Sequence, residues 1–522
     1  MLHNLFTRYI QLADSIAKNR AYMLLGGVFV LLVTSSIFYT KANRFADVES
    51  HIPATILALQ YGYDLEGYGL SGVSAKGVED TYGNGTLQIL NKGIVPDSFD
   101  HYRSAIGVQG FFYAWLYNTL GLKSLKPLYA FNALLSAMAL LICAFLLGKI
   151  FGRAFGIIFF LSLFTDNWIA RFGGSLYFSF GFWILPAIIA FSVYLVNSLG
   201  GGAQLKRVGF GAKNGDCGGE SAVITTQGNS LDSPCKAPFL SPKSNREQTN
   251  LESTSANPRI LEENQASLSS RAAQSGVAIH SPNTQKLESS IDCRTQRKLS
   301  YTTLALLCLC FTLAIALRAS MSYEFLTSII LFSLSPFIVS FIYGVLTSSP
   351  SPFLSLSAKK AFKYGLGLFI LACVGFLLTF MIHTYIRGGG DLWAGFADIY
   401  HNDFLRRMVG GDPSSFSHPL LVASINANAL EVIKIYLKSP LLLPLGASIF
   451  ACFLESSKEY RAFYIALLVC FALPALSWFV LGKSHSYIHR HFCFVLWYLG
   501  FWASIIYVPI CCLYRRLCHP TC

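Results

Sequence analysis

The 522-residue chain is short of charge: only 13% of its residues are Asp, Glu, Lys or Arg, against 53% hydrophobic ones. Its apolar residues come in runs of about 20 rather than at amphipathic spacing, which excludes an ordinary soluble domain. The runs lack the apolar–polar alternation of an outer-membrane barrel, so the spanning elements are expected to be helices. None of the 14 cysteines falls in a segment placed outside the cytoplasm, which argues against a disulfide framework. Acidic residues are fewer than basic ones, 27 against 40. The basic residues lie mostly in short segments between apolar runs, so the excess reads as positive-inside topology and not as a nucleic-acid surface. There is no internal repeat.

What is present is an all-α pattern, a polytopic membrane helix bundle of about ten transmembrane helices with large extracytoplasmic loops. The runs are 21–40, 128–148, 154–164, 176–199, 301–317, 325–346, 364–385, 441–454, 462–481 and 492–513. The first is longer than a signal-peptide core and reads as a retained span, which puts both termini in the cytoplasm. Lys123 and Lys126 run against the charge rule. The membrane domain occupies 1–199, with an extracytoplasmic loop at 41–110, and 300–522, with a second external segment at 386–440. Between them, 200–299 is rich in Ser, Asn, Gln, Thr and Gly and reads as a disordered cytoplasmic insert. In the first loop, Pro53–Gln60 suits a short helix, and Ile106–Leu120 one lying in the interface.

This topology gathers the polar clusters around 44–51, 166–171, 318–324, 383–407 and 483–491 on one membrane face. A site handling a lipid phosphate needs cations at headgroup level and a base for an acceptor hydroxyl. The cation candidates are Arg387, Lys483, His485, His489, Arg490 and His491, with Arg171 and Arg318 as helpers. For the base, Asp47 and Glu49 follow directly on the first span. If helix continues there, Arg44, Asp47 and His51 share a face, and Arg44 holds Asp47 ionised. If the chain is extended, Asp47, Glu49 and His51 align and metal ligation becomes conceivable. Asn84-Gly85-Thr86 matches a glycosylation sequon, a tripeptide common by chance.

A carboxylate-bearing first external loop just after the first span, interfacial helical material within it, and a second large external segment resemble the GT-C superfamily of polytopic glycosyltransferases. Protein O-mannosyltransferases and the aminoarabinose transferase of lipid A belong to it. The resemblance implies a polyprenyl-phosphate-linked sugar donor and a glycan, lipid or protein acceptor, with an acidic residue of the first loop as general base. That position is Asp47 here, with Glu49 as its neighbour; Val48 separates two acids that are adjacent in the mannosyltransferases. Arg44, His51, Arg171, Arg387, Lys483, His485, His489 and Arg490 are then the substrate and phosphate ligands. No cofactor is implied, and a divalent metal is allowed but not required. The implied setting is a bacterial inner membrane, with no nucleic-acid partner. Two rivals are an envelope oligosaccharide polymerase or ligase, whose functional residues lie in late loops, and a multi-pass transporter, which places charge near the midplane.

Overall fold

Apolar runs of spanning length become long helices because only a helix satisfies its own backbone in lipid. The structure, a computed structural model, describes residues 20–42, 46–78, 84–165, 167–199, 282–349, 351–410, 419–437 and 440–518. Of residues 20–22, 46, 47, 199, 282–300, 419–421, 491 and 492 it describes the backbone alone.

The first span is α1 (Arg20–Thr40), followed by the single turn α2 (Ala46–Glu49) and by α3 (His51–Tyr61). Ser50 between them keeps helical dihedrals and its carbonyl accepts the Ala54 N–H at 2.9 Å, so α2 and α3 run almost as one helix. Pro53 lies in the first turn of α3 and offers no N–H to the turn before it, so it falls at the break between α2 and α3. Gly62 stops the helix at φ +69°. The rest of the first loop is β1 (Leu70–Ser74), α4 (Asn84–Lys92), β2 (Ser98–His101) and α5 (Val108–Thr119), with β1 antiparallel to β2. Ala54, Leu57, Leu70, Val73 and Ile89 give it an apolar centre of its own. Thr86 is buried and its hydroxyl accepts the Val73 N–H at 3.0 Å, so the sequon threonine ties α4 to β1.

Next come α6 (Lys126–Phe151), α7 (Arg153–Ser162), α8 (Asn167–Gly174) and α9 (Phe180–Leu199). They are followed by α10 (Pro282–Met321), α11 (Leu326–Thr347) and α12 (Ala358–Arg387). The second large loop holds α13 (Leu392–Ile399), a π turn at Tyr400–Leu405, α14 (Arg406–Val409), α15 (Pro419–Asn426) and α16 (Ala429–Tyr436). The chain closes with α17 (Leu442–Leu454), α18 (Lys458–Leu481), α19 (Lys483–Ile488), α20 (Arg490–Cys493), a 3₁₀ turn at Phe494–Tyr498 and α21 (Phe501–Cys518).

Among the described residues eight helices are long and apolar enough to cross a membrane: α1, α6, α9, the Tyr301–Met321 part of α10, α11, α12, α18 and α21. The runs at 154–164 and 441–454 account for the difference from the expected ten. The first forms α7, bent by 84° from α8, and the pair makes a ninth span if counted as one. The second forms only the 13 residues of α17. The last span starts at Phe501 and not at 492, because Gly500 turns the backbone to φ +93° above the Phe471 ring, where a Cβ would collide.

Residues Gln204–Lys298 form a separate unit, of which the structure describes only helical backbone from Pro282 onward. The expected disorder of 200–281 lies outside the described residues; 282–299, expected to be disordered with it, are helical.

In lipid, helices gain little from hydrophobic transfer and associate through close packing and buried hydrogen bonds. Phe155 stacks on Phe471 at 5.5 Å and Phe159 on Phe332 at 6.1 Å, joining α7, α11 and α18. Asn132 in α6 is fully buried and donates to the Gly173 and Ser175 carbonyls at 3.2 and 2.9 Å, which fixes the turn after α8. One end of the bundle is closed by Arg515, paired with Glu455 at 3.0 Å and lying over the Tyr460 ring. The helix ends opposite to it carry the candidate site.

Candidate functional site

The helical alternative holds from Ala46 to His51, so Asp47 and Glu49 lie on different faces of one turn. Glu49 is 2% exposed, and its carboxylate accepts the Ser175 hydroxyl, the Tyr129 hydroxyl at 3.3 Å and the N–H groups of Leu176 and Tyr177. Burial pushes its carboxyl up and the four donors pull it back only in part, leaving it at about 7. Glu49 therefore pins α2 to the turn after α8. His51 is buried between the ring edges of Tyr102 at 4.4 Å and Tyr177 at 4.7 Å, and the Tyr177 hydroxyl donates to that of Tyr102 at 3.1 Å. Burial drives the imidazole down to about 3 against the pull of the Glu324 charge, so it is neutral at pH 7.

Glu324 is the centre on which the other loops converge. It sits in the tight connector between α10 and α11, where Phe325 adopts φ +60°, a left-handed conformation costing a β-carbon residue on the order of 1 kcal/mol. The Phe325 ring is held by Trp478 at 5.1 Å and Trp183 at 5.3 Å, so the connector cannot relax. Arg318, buried over the Trp183 ring, donates to the Ser322 and Glu324 carbonyls at 2.7 and 2.5 Å. Across from this connector, α19 brings His485 Nε2 to 3.4 Å from Glu324 Oε1, with the His489 ring 4.5 Å from that of His485. The Tyr436 hydroxyl, donating to the Ser486 carbonyl at 2.6 Å, fastens α19 from below. Burial alone would raise the Glu324 carboxyl, yet the His485 hydrogen bond and the charges of His485, Arg407 and His489 outweigh it and hold it at about 2. Glu324 is ionised at any physiological pH.

Arg407 enters this cluster from the second large loop. Asp403 lies on the π turn, a wider turn recurrent at functional sites. It accepts from Arg407 at 3.0 Å and from Arg387 at 2.6 Å, with Arg406 at 3.7 Å. Burial lowers the Arg407 guanidinium, but the fields of Tyr102, Asp403 and Glu324 raise it above its usual value. Arg387, at the end of α12, is also paired with Asp398 and donates to the Arg103 carbonyl. The same carbonyl contacts His383 Nε2 at 3.0 Å, and His383 Nδ1 lies 2.8 Å from the Tyr323 hydroxyl. Arg387 thus spends its donors tying the two large loops together.

The structure therefore brings His485 to Glu324 with His489 beside it, while His51 packs against Tyr102 and Tyr177 and feels the Glu324 charge; Arg387 is linked to Arg407 through Asp403. Arg171 stands apart, stacked on Trp168 at 4.4 Å. Lys483 donates to the Ile425 carbonyl at 2.9 Å, closing the end of α15. Arg490 donates to the Tyr487 carbonyl at 2.9 Å and lies over the same residue's ring. Arg44 lies outside the described residues, as does the side chain of Asp47. Sequence reasoning passed over Glu324, Asp403 and Arg407 as site residues. The signal for Glu324 was a lone acid in a connector too short to carry it away from the helix ends. For Asp403 and Arg407 it was their i,i+4 spacing.

Chemically, Arg407, His485 and His489 surround the Glu324 carboxylate, and Arg407 is also paired with Asp403, so the cluster is a charge-compensated network at the helix ends. Among the described residues no group of three or more His, Cys, Asp and Glu side chains is placed to bind a metal. Fold and site together define a polytopic, largely helical membrane protein with about eight long apolar helices. The chain matches no protein-family description, no curated protein and no solved structure.

Proposed function

We propose that the protein is a membrane glycosyltransferase of GT-C type. It moves a sugar from a polyprenyl-phosphate donor to an envelope glycan, lipid or protein on the extracytoplasmic face of a bacterial inner membrane, with both termini in the cytoplasm. One observation carries this reading: the acid-bearing turn after the first span runs directly into His51, which is packed between Tyr102 of the first loop and Tyr177.

In this scheme the donor phosphate rests among Arg407, His485 and His489, and the ion pairs of Arg387 hold Arg407 in place. Asp47 accepts the proton of the acceptor hydroxyl as its oxygen attacks the anomeric carbon. The bond from that carbon to the phosphate oxygen breaks, the electron pair stays on the phosphate, and the configuration inverts. The cations stabilise the leaving phosphate, so no general acid is required. Glu49 acts by fixing the turn that carries Asp47. Charge at helix ends, not at the midplane, favours an enzyme over a transporter.

The late-loop origin of Arg407, His485 and His489 favours a second reading, an envelope oligosaccharide polymerase or ligase. Mass spectrometry of envelope glycolipids and glycans from a deletion strain separates the two. The strain is complemented with wild type, Asp47→Asn or the double variant His485→Ala, His489→Ala. Loss of one sugar on deletion, restored by wild type alone, is expected. Full restoration by Asp47→Asn with none by the double variant moves the function to the late loops, and an unchanged profile on deletion refutes both.

A further inference from the structure

The segment following α12 carries a second surface that the reaction scheme does not use. Asp391 caps α13, accepting the Trp393 and Ala394 N–H groups at 2.8 and 3.1 Å. From there Trp393, Phe396, Tyr400 and Phe404 form a stack, with ring centroids 5.6, 6.2 and 5.9 Å apart. Their spacing of three, four and four residues crosses from α13 into the π turn, whose wider winding keeps Phe404 in line with the rest. All four rings are exposed, Trp393 by 77%.

The opposite side of the same segment is ionic. Asp398 and Asp403 are paired with Arg387 and Arg407, so this side is locked onto the protein and the rings cannot turn inward. The position of the segment is equally fixed, because a Cβ on Gly395 would collide with the Thr384 carbonyl; α13 lies directly across the last turn of α12. The stripe therefore starts where the lipid-facing side of α12 ends. Leu377, Leu378, Met381 and Ile382 are exposed on that helix, and Phe380 meets Phe396 at 6.1 Å.

We infer that the segment from Leu392 to Phe404 lies in the interfacial layer of the leaflet that α12 leaves, with its aromatic stripe seated among phospholipid headgroups and upper acyl chains. Continuity with the apolar side of α12 selects lipid over a protein partner. The residue types agree, since Trp and Tyr concentrate where hydrocarbon meets water. The segment joins this lipid contact to the site, because the Arg387, Asp403 and Arg407 chain under the stripe reaches Glu324. The inference stands whether or not the protein transfers sugars.

The test is fluorescence quenching of the full chain in phosphatidylcholine vesicles, comparing wild type with Trp393→Phe. The emission that Trp393→Phe lacks is expected to lose most of its intensity when the lipid is brominated on its upper acyl carbons, and to be indifferent to iodide in the water. Quenching by iodide and not by brominated lipid overturns the inference, since the stripe then faces water. Emission that neither agent touches also overturns it, since a second copy or another protein then covers the stripe. Phe404→Trp, which adds a reporter at the far end of the stripe, gives the same reading if Trp393→Phe does not reach the membrane.

Discussion

Replacing Glu49 by Gln tests whether the acid after α1 is held by buried donors as described. The Glu49 carboxyl moves from its ordinary 4.5 to about 7 on folding. Each pH unit of that difference is worth ~1.4 kcal/mol, so roughly 3 kcal/mol of stability separates the protonated from the ionised limit. A raised carboxyl binds its proton more tightly in the folded state. Its contribution is therefore complete below pH 4.5 and is lost as pH rises through 7. His51 works in the opposite sense: lowered from 6.5 to about 3, it contributes fully above 6.5, and that stability is lost as pH falls toward 3. In the overlap the two slopes oppose each other, and the wild-type curve alone hides both. The difference between wild type and Glu49→Gln isolates Glu49. Glutamine forfeits one acceptor oxygen, a constant cost of about 1–3 kcal/mol, and it does not titrate. Thermal unfolding of the two proteins in detergent should show wild type losing ground to the variant by about 3 kcal/mol between pH 4.5 and 7 and no further above it. A separation that stays constant across that window refutes the buried, donor-crowded environment.

Asp403→Ala removes the carboxylate shared by two largely buried guanidinium groups, Arg387 and Arg407. A loss of about 3–5 kcal/mol is expected, seen as a lower melting temperature, and wild-type stability would mean that the pair is solvated. Gly395→Val forces a side chain into the Thr384 carbonyl. It should expose the 388–395 turn to proteolysis that wild type resists, and an unchanged digestion pattern would disprove the close crossing of α12 and α13. Lys483→Met loses a single hydrogen bond to a carbonyl, about 1 kcal/mol, and should leave sugar transfer at the wild-type level, whereas Arg407→Met should abolish it. Equal losses would return Lys483 to the phosphate site.

The long spans are legible in the sequence because bilayer thickness, not tertiary packing, sets the length of the run. Runs of about 20 apolar residues at 21–40, 325–346 and 364–385 lie within or nearly coincide with α1, α11 and α12. Apolarity does not say how far a shorter run goes: 154–164 forms α7, which reaches spanning length only together with α8, and 441–454 forms the 13 residues of α17. Nor does it say whether a buried run is helical: Phe494–Tyr498 is apolar, yet forms a 3₁₀ turn ahead of Gly500. Helix without apolarity is equally invisible, as 282–299 shows. The candidate site depends on pairings between distant positions. His485 and Glu324 are 161 residues apart, and neither lies in a patterned stretch. Arg407 is one of many charged residues in the second loop, and only the Asp403 carboxylate singles it out. Lys483 and Arg490 drew notice as cations at a helix end, but the carbonyl each one meets is set by the fold.

The first span meets the rest of the protein very unevenly. Met23, Leu24, Leu25 and Phe29 are exposed, whereas Thr34 and Phe38 are buried and Phe38 lies in a cradle that side chains at Gly173 and Gly174 would fill. For sequence divergence this means two regimes within one helix. The early half should drift freely among apolar residues and be exchangeable for an unrelated lipid-soluble segment. The last two turns should change only in concert with the α8 glycines. The reading frame of conserved positions in α1 would then run backwards from Phe38 and fade within about two turns, whatever lies before it.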